Sequence, residues 1–288
     1  MAENVRALRL RIRSLANTAK ITKAMQMIAA SKMRRAQEMV LAGRPYSEKI
    51  EVMLADLAAV QSQTDEAAVP LLEVRPVQKT ALVLVTPDRG LCGGLHANMN
   101  RAAGEAIRNE DSGVVVITVG RKGRDFIVRS GTELLATFEG VGDRPTLDET
   151  RPISSIVIQE FEKREIDRVW LGYSRFINTA VQRPEIVTLI PVEPAELEPG
   201  QAVDYIYEPS PRDVLQELLP RFVEMEIYHA ILEAIASEHS ARMIAMQSAT
   251  DAANDLIDEL TLALNKARQE SITSEILDIV GGVAAVER

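Results

Sequence analysis

The stretch Ile21–Gln37, ITKAMQMIAASKMRRAQ, combines strong helix formers with an unusual charge. It contains three methionines and four basic residues, and it has no acidic residue, proline or glycine. Alanine, methionine, lysine and arginine all favour the helical conformation. We therefore predict a helix here. Its basic charge requires an explanation, because the chain as a whole has a formal net charge of −9.

The helix extends in both directions, over residues 4–60. Its first part carries apolar residues at alternating spacings of three and four, which is the seam of a coiled coil. These residues are Val5, Leu8, Ile12, Leu15 and Ala19. Thr22 and Gln26 would continue the heptad but are polar, so we expect the seam to drift to a new stripe. That stripe is Met25, Ala29, Met33, Ala36 and Val40. Gly43 and Pro45 then predict a break or kink.

The chain becomes helical again from about Pro209 and stays so to its end. Apolar residues recur at helical spacing, and Pro220 is expected to start or kink the helix. They include Leu215, Leu218, Phe222, Leu256, Leu260, Ala263, Ala267, Ile276 and Ile279. Seventy helical residues span roughly 105 Å, which exceeds any core this chain could form. We therefore expect the two terminal helices to pair, antiparallel because the chain leaves and returns through one domain.

Short apolar runs between the two helices predict strands buried on both faces of a parallel sheet. They are Ala81–Thr86, Val114–Gly120 and Arg168–Tyr173, with Glu185–Val192 as an additional strand. Helical intervals at 95–109, 121–130 and 152–165 alternate with them, which is typical of a Rossmann-like α/β domain. The predicted fold is thus α/β plus long helices, as an antiparallel two-helix coiled coil with a central α/β domain. The predicted domains are residues 1–60, 77–195 and 209–288.

Composition and charge favour some classes of protein over others. Cys92 is the only cysteine, so an internal disulfide is excluded, and no apolar run is long enough to span a membrane. Residues 1–50 carry a net charge of +8 and the remainder carries −17. A basic arm suggests nucleic acid, an acidic membrane surface or simply a solvated helix face. Against nucleic acid, the arm has no aromatic residue between Met1 and Pro45 for base stacking.

The motif most suggestive of chemistry is TPDRGLCGGLHANMN, Thr86–Asn100, directly after the first predicted strand. Its glycines could expose backbone N–H groups to a phosphate, which would suit a nucleotide-binding α/β enzyme with helical oligomerisation arms. The spacing matches neither the dinucleotide fingerprint nor the P-loop, and a tight structural turn is the better interpretation. The histidines His96, His229 and His239 have no metal-binding spacing, and Asp251–Leu260 lacks the glycine of a calcium loop. We predict no cofactor, no metal and no catalytic residue.

Three motifs in order resemble the gamma subunit of F-type ATP synthases. They are Ile21–Gln37, Thr86–Leu95 and Lys266–Leu277 (KARQESITSEIL), and the closing GGVAAV extends the resemblance over the whole chain. The resemblance implies a central rotor shaft that binds no nucleotide itself. Its implied partners are three alpha and three beta subunits, the epsilon subunit and the membrane c-ring, with no nucleic acid. Its implied role is to couple proton or sodium flow to ATP synthesis.

The resemblance also assigns contact residues. Those facing the catalytic hexamer are Lys20, Lys23, Met25, Lys32, Arg34, Arg35, Arg242, Gln269, Thr273 and Glu275. The apolar last turns, Ile276–Val286, are expected to turn inside a hydrophobic sleeve. Tyr205 and Tyr207 are expected at the foot that docks on the ring. The chloroplast form has a regulatory cysteine pair, which a lone Cys92 does not provide, so we expect no such thiol control. Because no organelle presequence is recognisable, we expect a peripheral protein on the cytoplasmic face of a bacterial inner membrane.

Overall fold

The computed structural model describes residues 2–61, 69–193 and 207–286 of the chain. Within these ranges the helices are α1 (Ala2–Gln61), α2 (Leu95–Asn109), α3 (Arg121–Ser130), α4 (Leu147–Glu162) and α5 (Pro211–Val286). The strands are β1 (Lys79–Val85), β2 (Gly113–Val119), β3 (Glu133–Phe138), β4 (Arg168–Phe176) and β5 (Gln182–Ile190). Along the described ranges, no helix has an apolar stretch that could cross a membrane.

The chain divides into two compact units. The α/β unit is Ala30–Arg242, and the coiled-coil unit is Met1–Ala29 together with Met243–Arg288. The division cuts through α1 and α5, so each long helix contributes to both units. The three domains proposed from sequence, 1–60, 77–195 and 209–288, stay a prediction.

The α/β unit is built on one five-stranded sheet with the order β3-β2-β1-β4-β5. The first four strands are parallel, and β5 runs antiparallel beside β4. All four predicted strands are present, each within a few residues of its expected bounds, and α2 and α3 begin and end where the sequence predicts. The predicted α/β architecture is therefore confirmed.

The sequence-based interpretation misses β3, whose sequence ELLATF alternates exposed and half-buried residues. β3 is an edge strand of the sheet. The other strands are recognised by continuous apolar runs, which are typical of strands buried on both faces. An edge strand with three exposed side chains does not produce such a run, so the criterion cannot detect it.

Alternate residues of β1 belong to two different cores. Leu82 and Leu84 belong to a smaller apolar cluster that α2 and α3 complete. Ala81, Val83 and Val85 belong to a larger cluster that includes α4 and the segments of α1 and α5 in this unit. The helix residues of the larger cluster include Leu54, Leu57, Ile153, Val157, Leu219 and Val223. The long helices therefore bury apolar side chains together with the sheet here, and not only with each other.

Three helix boundaries differ from expectation. α4 begins at Leu147 rather than 152, because Thr146 and Glu149 form a capping box that fixes its first turn. α1 continues without a break through Gly43 and Pro45. α5 begins at Pro211, where the Ser210 hydroxyl accepts a hydrogen bond from the Asp213 backbone N–H at 3.2 Å, so Pro220 lies inside the helix.

The glycine at position 43 is explained by helix packing and not by a break in α1. A Cβ atom at this position would lie 2.6 Å from Cε1 of His229 on α5. Real Cβ atoms do not approach a neighbour that closely, so a larger residue would force the His229 ring to move. The glycine therefore allows α1 and α5 to approach closely within the α/β unit.

The coiled-coil unit confirms the antiparallel pairing of the two long helices. The hydroxyls of Thr22 and Thr250 are 2.7 Å apart, and Gln26 Nε2 donates to Gln247 Oε1 at 3.4 Å. Moving forward along α1 thus means moving backward along α5. The expectation that the seam leaves Thr22 and Gln26 is wrong, because Thr22 is only 9% exposed and both residues contact the opposite helix. The predicted stripe is confirmed at Ala29 and Ala36, which are buried.

On α5, the inward positions of the coiled-coil unit follow the same alternation of three and four. They are Met246, Thr250, Ala253, Ile257, Leu260, Leu264 and Ala267. Leu256 and Ala263, which the sequence places in the apolar stripe, are exposed instead. A polar residue that continues the heptad is therefore a better guide to the seam than an apolar residue that departs from it.

We expect Thr22→Val to lower the free energy of unfolding by about 1 kcal/mol, because it removes the hydroxyl bonded to Thr250 in a buried site. The double variant Thr22→Val, Thr250→Val should lose less than the sum of the single changes, since two apolar side chains leave no unsatisfied partner. Urea unfolding of the full chain gives these values. Thr18→Val removes an exposed hydroxyl from the same helix and should change the free energy by less than about 0.5 kcal/mol. Additive effects of the two buried changes would contradict the prediction.

Gly120 and Gly131 offer a matched pair, because both have positive φ, +98° and +74°. A Cβ at Gly120 would lie 1.9 Å from the carbonyl oxygen of Thr86, whereas a Cβ at Gly131 would meet no atom within 4 Å. We expect Gly131→Ala to lower the free energy of unfolding by about 1–2 kcal/mol through backbone strain alone. Gly120→Ala should cost about 4 kcal/mol or more. Equal costs in urea unfolding would show that the Thr86 contact is not decisive.

Candidate partner-contact site

The outward face of α1 in the coiled-coil unit mixes basic and apolar side chains. Lys20 and Lys23 are exposed, as the sequence predicts. Between and beyond them lie Ile21 and Met27, each 61% exposed, and Ile28, 56% exposed. Single exposed apolar residues are ordinary, but these three share one short segment of helix. The arrangement suits contact with another protein surface that offers both acidic and apolar groups.

The methionine on this face is Met27 rather than Met25. Met25 is half-buried, whereas Met27 is mostly exposed. The sequence-based assignment of Met25 as a contact residue stays a prediction, and it missed Met27, Ile21 and Ile28. Their positions relative to the heptad seam carried the signal, since all three fall outside the seam defined by Ala19, Thr22 and Gln26.

The last turns of α5 carry the second part of the candidate site. Gln269, Thr273 and Glu275 are exposed, and the Thr273 hydroxyl donates to the Gln269 carbonyl oxygen at 2.9 Å within the helix. Several apolar residues beside them are also exposed. They are Ile272 (47%), Ile276 (55%), Leu277 (65%), Ile279 (68%) and Val280 (60%). The side chains of residues 281–286, part of the predicted apolar tip, lie outside the described residues.

The register of the coiled-coil unit explains this exposure. The Thr22–Thr250 and Gln26–Gln247 contacts place the first residues of α1 opposite about residue 270 of α5. Beyond that point α5 continues to Val286 without α1 beside it. A helix that exposes apolar side chains to water on several sides is unfavourable unless another surface covers it. We therefore expect a partner surface around this segment.

In the α/β unit, the basic residues of α1 fall into two groups. Arg34 and Arg35 are exposed. Lys32 is half-buried, and its Nζ lies 2.6 Å from Oδ2 of Asp143, in the loop between β3 and α4. Arg34 and Arg35 are therefore available on the surface, whereas Lys32, with a side chain 40% exposed, is paired with Asp143 of the same unit.

Arg242 is also engaged inside the α/β unit, with its side chain only 13% exposed. Its Nη2 donates to Glu238 Oε1 at 2.6 Å and to the Gly90 carbonyl oxygen at 3.3 Å. The sequence pattern does not reveal the Gly90 contact, because Gly90 is far away along the chain, whereas Glu238 lies four residues earlier on the same helix. The assignment of Arg242 to the hexamer contact stays a prediction, and its geometry indicates a positioning role.

The glycine-rich turn after β1 uses its own polar groups. The Asp88 carboxylate accepts hydrogen bonds from the Arg121 N–H at the start of α3 and from the Gly140 N–H, both at 2.9 Å. The Thr86 hydroxyl accepts from the Gly123 N–H at 2.8 Å. These bonds tie the turn to the first turn of α3 and to the loop after β3, which supports the structural interpretation of the turn.

Cys92 in the same turn is fully buried, and its Sγ lies 3.8 Å from Nδ1 of His96. Burial, and then the nearby Glu238 carboxylate, raises the pKa of its thiol, which disfavours the reactive thiolate. Among the described residues, no group of three or more His, Cys, Asp or Glu side chains is arranged to hold a metal ion. These features give Cys92 the character of a buried small apolar residue.

Tyr205 and Tyr207 are the two residues that the sequence analysis assigns to the surface docking on the ring. Tyr205 lies outside the described residues. Tyr207 is half-buried and packs against the larger apolar cluster of the α/β unit. Its assignment to a docking surface stays a prediction.

Comparison with known proteins identifies the family. A family model described as ATP synthase matches residues 4–286. The ATP synthase gamma chain of Dehalococcoides mccartyi is 57% identical over 98% of this chain and 99% of its own length. That of a Roseiflexus species is 49% identical over 98% of both chains. A chain of the Euglena gracilis mitochondrial ATP synthase, solved with OSCP, F1 and the c-ring, covers 99% of this chain at 18% identity and a TM-score of 0.70, which supports the fold. The chain therefore belongs to the ATP synthase gamma chain family.

Proposed function

We propose that this chain is the central-stalk rotor subunit of an F-type ATP synthase, which couples ion flow through the membrane ring to ATP synthesis. Its membership of the gamma chain family supports this role. The observation that carries the proposal is the antiparallel pair of helices in the coiled-coil unit, whose outward faces expose basic and apolar side chains together. The proposed partners are three alpha and three beta subunits, the epsilon subunit and the c-ring.

The proposed contact residues divide by chemistry. The cations Lys20, Lys23, Arg34 and Arg35 on α1 would face acidic segments of the catalytic subunits as these pass. Gln269, Thr273 and Glu275 would supply polar contacts near the end of α5. Met27, with its soft and adaptable side chain, would allow the same face to meet surfaces in different states.

No covalent chemistry is assigned to the chain itself. Cys92 is buried with a raised thiol pKa, and Asp88 in the same turn bonds to the start of α3 and to the loop after β3. Catalysis would reside in the hexamer, and this chain would act by presenting different faces to its three catalytic sites. The bacterial origin of the curated relatives supports a peripheral location on the cytoplasmic face of a bacterial inner membrane.

Purification of the complex from membranes tests the proposed function. We expect this chain to be recovered with an ATPase hexamer, at one copy for three catalytic subunits. Recovery of the chain alone would contradict the proposal. Titration of the isolated chain with ATP or NAD gives an independent check, since saturable binding tighter than about 10 µM, roughly −7 kcal/mol, would support a nucleotide-binding enzyme instead.

The contact energy must be distributed, because one exposed ion pair contributes only about 0–1 kcal/mol. We expect Lys23→Gln alone to change ATP-driven ion pumping by less than about fivefold. The combined change of Lys20, Lys23, Arg34 and Arg35 to Gln should reduce pumping much more than ATP hydrolysis in inverted membrane vesicles. Arg108→Gln with Arg129→Gln removes exposed cations from α2 and α3 and serves as the control. Normal pumping by the fourfold variant would contradict the proposed basic contact.

A sleeve around the end of α5 makes a separate prediction at Ile279, which is 68% exposed in the chain. Ile279→Glu should change the unfolding free energy of the isolated chain by less than about 0.5 kcal/mol, because the position is exposed there. In the assembled complex it should cost about 2 kcal/mol or more, because a carboxylate would be buried without a partner. Complex yield and thermal stability measure this cost, and Ile279→Ala is the control. If the Glu variant assembled as stably as the Ala variant, the tip would not be enclosed.

A further inference from the structure

Asp143 joins the two long helices inside the α/β unit. Its Oδ2 lies 2.6 Å from Nζ of Lys32 on α1, and its Oδ1 lies 2.8 Å from Nε2 of His239 on α5. The side chains of Lys32 and Asp143 are 40% and 45% exposed, whereas His239 is 3% exposed, so Asp143 connects a surface cation to a buried ring. Burial raises the pKa of Asp143, but Lys32 and His239 outweigh it and hold the pKa below its usual range, so the carboxylate is ionised.

The carboxylate fixes the tautomer of His239. An ionised carboxylate can only accept hydrogen bonds, so Nε2 of His239 must carry the proton. Burial lowers the pKa of His239, against the opposing effects of Glu238 and Asp143, and the ring is therefore neutral at pH 7. In the neutral ring with a proton on Nε2, Nδ1 has a free lone pair and acts as an acceptor.

That acceptor faces Arg242. Nη1 of Arg242 lies 3.4 Å from Nδ1 of His239, while Nη2 donates to Glu238 and to the Gly90 carbonyl oxygen. The guanidinium is thus held by three acceptors. His239 is the one that a proton on Nδ1 converts from an acceptor into a donor. The Gly90 carbonyl precedes Leu91, which has φ +63° and is 64% exposed.

We infer that His239 is a positioning residue that holds Arg242 against the Gly90–Cys92 turn, and that a proton on its Nδ1 releases Arg242 from that turn. A protonated Nδ1 is a donor, so it can no longer accept from Nη1, and two like charges then face each other in a buried site. Release of the turn is a property of the chain itself and does not depend on the proposed function. Any effect of that release on rotary coupling does rest on the proposed function.

Charged and titratable groups surround His239 from each neighbouring element. They are Lys32 on α1, Asp143 in the β3–α4 loop, Glu238 and Arg242 on α5, the Cys92 thiol in the turn, and His96 on α2, whose Nδ1 lies 3.8 Å from that thiol. His96 and His239 have ordinary pKa values between 5 and 8, and the variant His239→Gln leaves His96 in place, so it isolates the effect of His239. Because the folded pKa of His239 is below the unfolded value of 6.5, its contribution to stability is complete above pH 6.5 and is lost as the pH falls through the folded pKa.

Cys92 reports on the turn, since it is the only cysteine and is fully buried. We would measure its reaction rate in the full folded chain with a pyridyl disulfide, a reagent that still reacts with thiols at acidic pH. Each rate is divided by the rate in urea at the same pH, which removes the intrinsic effect of pH on the thiol. The wild-type ratio should rise by about threefold or more between pH 7.5 and 5.5.

Two variants separate positioning from simple packing. His239→Gln keeps a donor for Asp143 and an acceptor for Arg242 but cannot titrate, so its ratio should stay low and flat across this range. His239→Leu has neither group, so its ratio should be high at both pH values, as should that of Arg242→Gln. A pH-dependent rise in His239→Gln, or a protected Cys92 in His239→Leu, would overturn the inference.

A second measurement remains available if the Leu variant does not fold. Nitrogen-15 NMR of histidine-labelled full chain, with His239 assigned through His239→Gln, should show the proton on Nε2 at pH 7.5. A proton on Nδ1, or a ring already charged at that pH, would refute the arrangement. Neither measurement needs the ATP synthase complex. Failure of the chain to co-purify with a hexamer would refute only the proposed function.

Discussion

Burial of the apolar stripe of α1 against α5 is the constraint on which the other features depend. Isolated helices of 60 and 76 residues would expose their apolar faces to water. Most of the stability of a helix in a protein comes from packing that face against another element. The two helices bury it in two ways. In the coiled-coil unit they pair antiparallel around Thr22 and Thr250, and in the α/β unit they share an apolar cluster with the sheet.

This pairing decides which side chains are left for partners. Once Ala19, Thr22 and Gln26 occupy the seam, Lys20, Ile21 and Met27 must point away from it. The same register leaves the last turns of α5 without α1 beside them. The exposed basic and apolar surfaces are therefore consequences of the helix register rather than separate adaptations, and they are the surfaces that we propose meet the hexamer.

Periodicity and apolar runs predict those parts of the fold that local sequence determines. α2, α3, β1, β2 and β4 follow from these patterns because each has regularly placed buried residues, and β5 follows from its apolar run although only its last two residues are buried. β3 does not, because an edge strand carries a weaker signal, and Thr22 does not, because its role depends on a hydroxyl on α5. Nor does the bond from Arg242 to the Gly90 carbonyl oxygen, since Gly90 meets Arg242 only through the tertiary structure, whereas Glu238 lies one turn before Arg242 on α5. Contacts between residues distant along the chain are what local patterns omit.

We propose that Arg242 acts on a partner indirectly, without contacting it. Its side chain is largely buried, so a direct contact would first have to break bonds to Glu238 and Gly90. Acting through the Gly90–Cys92 turn avoids that cost, because the turn is already exposed at Leu91. A buried cation held by three acceptors has one preferred position. Rigid presentation of an exposed turn is what a shaft needs if force at its surface is to move the whole subunit rather than one loop.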